Sequence, residues 1–120
     1  VDYLPTVTRD DVLRIVQRDF SPEDRMEVLA LLGLRDGAEE SEGIGPRVQL
    51  AILKLSDGRV DAVREHREVA RTDFRDVIAP AEYPEFWQVG FVGVAAMTPA
   101  ETETLKARDW HQYEVWLTAE

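Results

Sequence analysis

Residues 45 to 58, GPRVQLAILKLSDG, constrain the fold more than any other stretch of the chain. Val48, Leu50, Ala51, Ile52, Leu53 and Leu55 are relieved only by Arg47, Gln49 and Lys54. At about 100° per residue, Val48, Ala51, Ile52 and Leu55 make one broad apolar face and Leu50 with Leu53 a second. Arg47 and Lys54 share one seam between the faces, and Gln49 occupies the other. A helix that is apolar on two sides needs neighbours on two sides, which places residues 46 to 56 at the centre of a helical bundle. Pro46 suits a first helical turn, and Gly58 suits the left-handed position just past the last.

The rest of the chain supplies the wrapping helices. Thr8 and Asp11 have capping-box spacing ahead of Val12, Leu13, Val16 and Phe20, which predicts a helix over 9–19. Ser21 and Pro22 repeat the start signal before Met26, Val28, Leu29 and Leu32, with Gly33 as the stop. After the Asp57-Gly58 turn, Val60, Val63 and Ala70 mark the inward side of a helix over 59–71, joined by Phe74, Val77 and Ile78 if it continues past Thr72. Pro80 should end or kink that helix near Ala79, because proline removes a backbone donor and crowds the preceding turn. The glycine-bearing run 88–97, QVGFVGVAAM, reads as an extended connection packed on the core. Thr98, Pro99 and Glu101 start a last helix running to about Leu117, with Trp110, Tyr113 and Leu117 on one face and Leu105 and Trp116 pointing elsewhere. The expectation is an all-α fold, a single domain over 1–120 with about five helices around the buried helix 46–56.

Charge narrows the classes of partner. Fourteen Lys and Arg against 24 Asp and Glu give a net charge of -10, which disfavours DNA and RNA, whose binding rests on cations displacing counterions from phosphate. The balance is uneven: five arginines fall between Arg59 and Arg75, and no Lys or Arg between Arg75 and Lys106. The longest apolar-rich run, Phe86 to Met97, is far short of the roughly 20 residues that cross a membrane. No basic region followed by an apolar stretch opens the chain, so the expected location is the cytoplasm, in the manner of a bacterial protein. The absence of cysteine excludes disulfides, thiolate nucleophiles and cysteine-ligated metals, and leaves the redox compartment open.

Four features could carry chemistry. The loop 35–45 gathers Asp36, Glu39, Glu40 and Glu42, donors for a hard cation, but without the spacing of a calcium loop. Such runs are mostly solvated linkers, and no metal or cofactor is expected. Arg64, Arg67, Arg71 and Arg75 fall in one helical stripe, which is either an anion-binding patch or a set of surface ion pairs with carboxylates such as Asp61 and Glu68; the pairs are the preferred reading. Tyr83, Phe86 and Trp87 cluster at a turn, and Trp116 adds a further aromatic. Tyr83, Trp87 and Trp116 form a candidate partner-binding surface, or else cover one end of the bundle. His66 and His111 are the two imidazoles, and an enzyme reading would need folding to unite them with each other or with carboxylates. No G-x-S-x-G, H-E-x-x-H or phosphate-cradling glycine motif is present.

The segments RVQLAILKLSDG (47–58), DFRDV (73–77), AEYP (81–84) and DWHQYEVWL (109–117) together resemble a family of small bacterial proteins. That family shares R-V-Q-x-A-I-L-K-L-S-x-G, D-[YF]-R-D-V, A-E-Y-P and D-W-x-Q-Y-x-x-W-L in the same order. The resemblance spans about two thirds of the chain and implies a helical C-terminal segment. It implies no catalytic residues, since the family's function is unassigned, and Pro80 departs from its pattern. The expectation is a small acidic protein that is not an enzyme and binds another protein as an adaptor, inhibitor or immunity-type partner, with homo-oligomerisation open. The alternatives are an anion-binding protein using the arginine stripe and an enzyme with a carboxylate or histidine site.

Overall fold

The structure, a computed structural model, describes residues 4–34 and 44–120. The carboxylate loop with Asp36, Glu39, Glu40 and Glu42 lies outside the described residues. The described chain is all-helical: α1 (Arg9–Asp19), α2 (Pro22–Leu31), α3 (Pro46–Ser56), α4 (Val60–Thr72), α5 (Arg75–Glu82), α6 (Pro84–Ala95) and α7 (Pro99–Thr118).

Helix α3 packs against α1, α4 and α5, and Gln49, Leu50, Ala51, Ile52, Leu53 and Ser56 are buried. Leu50, Ile52 and Leu53 have no accessible surface, so each contributes about 1.5–3 kcal/mol of apolar burial. Around them gather Val12, Ile15 and Val16 of α1, Val28 of α2, Val63 of α4 and Val77, Ile78 and Ala81 of α5. The α3–α4 turn uses two left-handed residues, Asp57 (φ 49°) and Gly58 (φ 77°). At Gly58 the backbone also approaches α1 closely, since a Cβ there would lie 3.1 Å from the Asp19 carbonyl oxygen.

Among the described residues there are seven helices instead of about five, for identifiable reasons. Asp73 takes an extended conformation (φ -154°, ψ 110°) that separates α4 from α5, and Asp73 Oδ1 then accepts the Arg75 N–H. A carboxylate that caps the next helix outweighs the apolar periodicity running through Thr72. Phe74, expected on the inward side, is exposed as a result. Pro80 does not end α5, which continues to Glu82 with the Tyr83 N–H donating to the Ala79 carbonyl at 3.0 Å. Proline here removes only its own donor, and the helix ends within one further turn.

The run 88–97 is helical, not extended. Its residues belong largely to α6, interrupted by Gly90 at φ 71° and ψ 178°. Two short helical arms joined by glycine satisfy their own amides, which a lone strand could not do. Helix α7 runs unbroken from its Thr98–Glu101 capping box, with the Glu101 N–H donating to Thr98 Oγ1 at 3.2 Å. Its buried side is Leu105, Asp109 and Tyr113, with Trp116 packed on the core. Leu105 and Trp116 therefore face inward with Tyr113, correcting the expected orientation.

Candidate interaction surface

The polar seam of α3 determines where the C-terminal hairpin sits. Arg47, the first side chain of that seam, reaches α5, and its guanidinium forks onto Glu82: Nε donates to Oε2 at 2.8 Å and Nη2 to Oε1 at 2.7 Å. Glu82 is only 7% exposed, so the bidentate geometry compensates a carboxylate withdrawn from water. The pairing raises the Arg47 pKa further above its ordinary value. One residue later, Tyr83 and Pro84 turn the chain into α6.

That corner is clamped by α7. Asp109, 1% exposed, accepts the N–H groups of Glu85 and Phe86, both at 3.0 Å, and so satisfies the free amides of the first turn of α6. Gln112 Nε2 donates to the carbonyls of Ala81 and Glu82, both at 3.2 Å, at the end of α5. Arg108 Nε pairs with Glu85 at 3.1 Å on the outer side. Burial pushes the Asp109 carboxyl pKa upward against the pull of its two amide donors. Burial also lowers the Lys54 pKa, while the Asp109 charge acts in the opposite direction. Tyr113 Oη is buried without a hydrogen-bond partner, and desolvation raises its pKa. These groups are held in structural hydrogen bonds or packing. Among the described residues, shallow depressions open against Arg14 and Arg18, against Leu4, Trp110 and Tyr113, and against Met97, Glu101 and Arg108; none of these is lined by Glu82, Asp109 or Lys54.

The clamp presents α6 to solvent. From Phe86 to Ala100 the sequence contains no Asp, Glu, Lys, Arg or His, the longest such stretch of the chain. Yet none of the described side chains of α6 is buried. Trp87 is 54% exposed, Val92 88%, and Val89 is exposed between them. Helix α6 packs against α5 and α7. Helix α6 therefore leaves an apolar patch in water, where an apolar helix is ordinarily covered.

The three aromatics expected to form a binding surface separate. Tyr83 packs on the core and meets Phe86 edge-on at 6.1 Å. Trp116 also packs on the core, tilted against Tyr113 at 5.7 Å and covered by the Arg18 guanidinium at 5.4 Å. Trp87 alone of the three stands out on the α6 surface. Val89 and Val92, absent from the sequence reading, join it. Their signal in the sequence is the uncharged stretch from Phe86 to Ala100 itself, hidden by the expectation that it packs on the core.

The arginine stripe is engaged by the chain's own carboxylates. Arg64 pairs with Glu27 of α2 at 2.6 Å, Arg67 and Arg71 approach Glu68 at 3.6 and 3.5 Å, and Arg75 pairs with Asp73 at 2.9 Å. The Arg75 contact holds the Asp73 carboxyl below its usual range. Arg64 and Arg75 thus each have a carboxylate of their own, whereas Arg67 and Arg71 share Glu68 and Arg67 Nε is buried without a hydrogen-bond partner, so the chain's own anions neutralise the stripe only in part. His66 is half-buried on α4 and His111 exposed on α7, and neither makes a hydrogen bond or ion pair among the described residues. No cluster of three or more His, Asp or Glu suited to a metal occurs among the described residues, and no described helix is long and apolar enough to cross a membrane. No protein-family model, curated protein or solved structure matches this chain.

Proposed function

We propose that this protein is a non-enzymatic interaction module of the adaptor, inhibitor or immunity type, and that its partner docks on α6. The observation that carries this reading is the exposure of Trp87, Val89 and Val92 on the longest uncharged stretch of the chain. Apolar side chains of this size form the centre of protein interfaces, and their solvation is relieved by association. The Arg47–Glu82, Asp109 and Gln112 contacts support the reading as well, because they fix the first turn of α6, next to Trp87, before binding and reduce the ordering cost of association there.

Arg47, Glu82, Asp109 and Gln112 of that clamp lie within the segments that resemble the small bacterial family, and the outer Arg108–Glu85 pair lies just beyond them. Membership of that family, and a cytoplasmic site of action, belong to the same proposal.

The test is a photo-crosslinking side chain placed at position 92, with a second at position 64 on α4 as control, each in the intact chain inside its source cells. Discrete adducts from position 92, suppressed by excess unmodified chain and missing from position 64, are expected. If position 92 yields no adduct, or both positions yield the same set, the docking face is not α6.

A further inference from the structure

The charge around α6 identifies the kind of partner it fits. Between residues 76 and 105 the chain carries Asp76, Glu82, Glu85, Glu101 and Glu103 and no Lys, Arg or His. The next two cations, Lys106 and Arg108, are already paired, with Glu103 at 3.9 Å and Glu85 at 3.1 Å. Glu101 sits exposed at the start of α7, where it lines a shallow groove beside the end of α6 with Met97, Ala100, Thr104 and Arg108, whose guanidinium is the one paired with Glu85. Glu82 is likewise held by Arg47, so among the described contacts Glu101 is the carboxylate between residues 84 and 105 with no cation paired to it, and the apolar side chains are bordered by more carboxylates than cations on a molecule whose net charge is -10.

On the reading that α6 is the docking face, we propose that its partner is a cationic amphipathic helix from a different protein. Its apolar side covers Trp87, Val89 and Val92, and its Lys or Arg side chains meet the carboxylates of the α6–α7 hairpin, Glu101 among them. Helix-on-helix docking of this kind joins an apolar stripe to complementary charge at the rim, and the charge accelerates encounter and selects the partner. A second copy of this chain does not have that chemistry. Its most arginine-rich region, residues 59–75, sets five arginines against four carboxylates, and Arg64 and Arg75 are already paired while Arg67 and Arg71 share Glu68. Two molecules of charge -10 also repel each other. Anionic lipid surfaces and nucleic acids are disfavoured for the same reason.

Two synthetic peptides of about 18 residues test the proposal, with identical leucine spacing and either lysine or glutamate at every charged position; each is titrated into the intact chain by fluorescence anisotropy. The lysine peptide should bind at least ~10-fold more tightly than the glutamate peptide, and its affinity should fall as salt rises from about 50 to about 500 mM. Replacing Trp87→Ser and Val92→Ser together, both at exposed positions, should weaken lysine-peptide binding at least ~10-fold with the helical circular dichroism unchanged. Failure of the lysine peptide to bind, equal binding of both peptides, undiminished binding by the double variant, or sedimentation of the chain alone as a dimer that the double variant abolishes would each overturn the proposal. The crosslinks from position 92 separate the two levels. Adducts that map to an acidic or neutral segment refute the partner's chemistry and leave the docking face standing, whereas no adduct removes both.

Discussion

Glu82 and Tyr113 are both buried, yet their polar atoms have opposite consequences for stability. Glu82 is held by two charge-assisted hydrogen bonds from Arg47, so Arg47→Ala leaves an uncompensated carboxylate and should cost about 3 kcal/mol, the low end for a broken buried pair because Arg47 is partly solvated. Replacing both partners with apolar residues should cost less than either single change, and urea unfolding of the four variants measures this directly. Tyr113 Oη has no partner, so Tyr113→Phe removes a desolvated hydroxyl and should leave the urea midpoint unchanged or raised. Asp109 gives a pH signature. Its folded pKa is raised by burial, so the folded state holds a proton that the unfolded state releases above about pH 3.9. Its contribution is fully present below that value and is lost as pH rises through the folded pKa. Relative to wild type, Asp109→Asn should therefore be most destabilised at acidic pH and least at neutral pH, a trend readable from denaturant midpoints at a series of pH values.

At the level of elements, legibility depends on how local the determining interaction is. Helices α1 and α3 match the expected spans, since Thr8 with Asp11 and Pro46 with the Asp57-Gly58 turn mark their ends within the sequence itself. The division between α4 and α5 depends on one carboxylate, Asp73, accepting from the first amide of α5, and apolar periodicity alone runs straight through it. The α5–α6 corner is the least legible, because its amides are satisfied by Asp109 and its carbonyls by Gln112, more than 20 residues away in sequence. A local reading sees two prolines and expects a helix end and a turn; the folded molecule supplies the caps from α7. Helix α6 escapes a sequence reading for the same reason, since nothing near residues 88–97 announces what satisfies the start of their helix. The Gly58 turn makes a firm prediction at this scale. Gly58→Ala adds a Cβ at φ 77° and 3.1 Å from a carbonyl, so it should destabilise by more than ~1 kcal/mol, measured as a shift in denaturant midpoint without loss of cooperativity.

The whole molecule is elongated, with extents of 48 × 31 × 23 Å. Its radius of gyration of 15.2 Å exceeds the roughly 13.6 Å expected for 120 residues packed evenly. Charge is distributed as unevenly as shape: α1 and α4 carry three arginines each, and the acidic, uncharged-cored hairpin of α6 and α7 contains no unpaired cation between residues 76 and 108 among the described contacts. A net charge of -10 opposes compaction and is screened by salt. Added sodium chloride should therefore raise the thermal midpoint by a few degrees while weakening capture of the lysine peptide. Opposite responses of stability and binding to the same salt series would distinguish self-repulsion from partner attraction, and parallel responses would contradict the charge argument.

Gly90 has a further consequence for that hairpin. Its torsions, φ 71° and ψ 178°, lie where essentially only glycine rests, and nothing crowds the space a side chain would occupy. One swivel therefore aims the outer arm carrying Val92, independently of the inner arm that Asp109 anchors. Substituting alanine at this joint would redirect the tip and leave the hydrophobic interior untouched, so on the proposed reading of α6 a single codon is enough to uncouple recognition from folding.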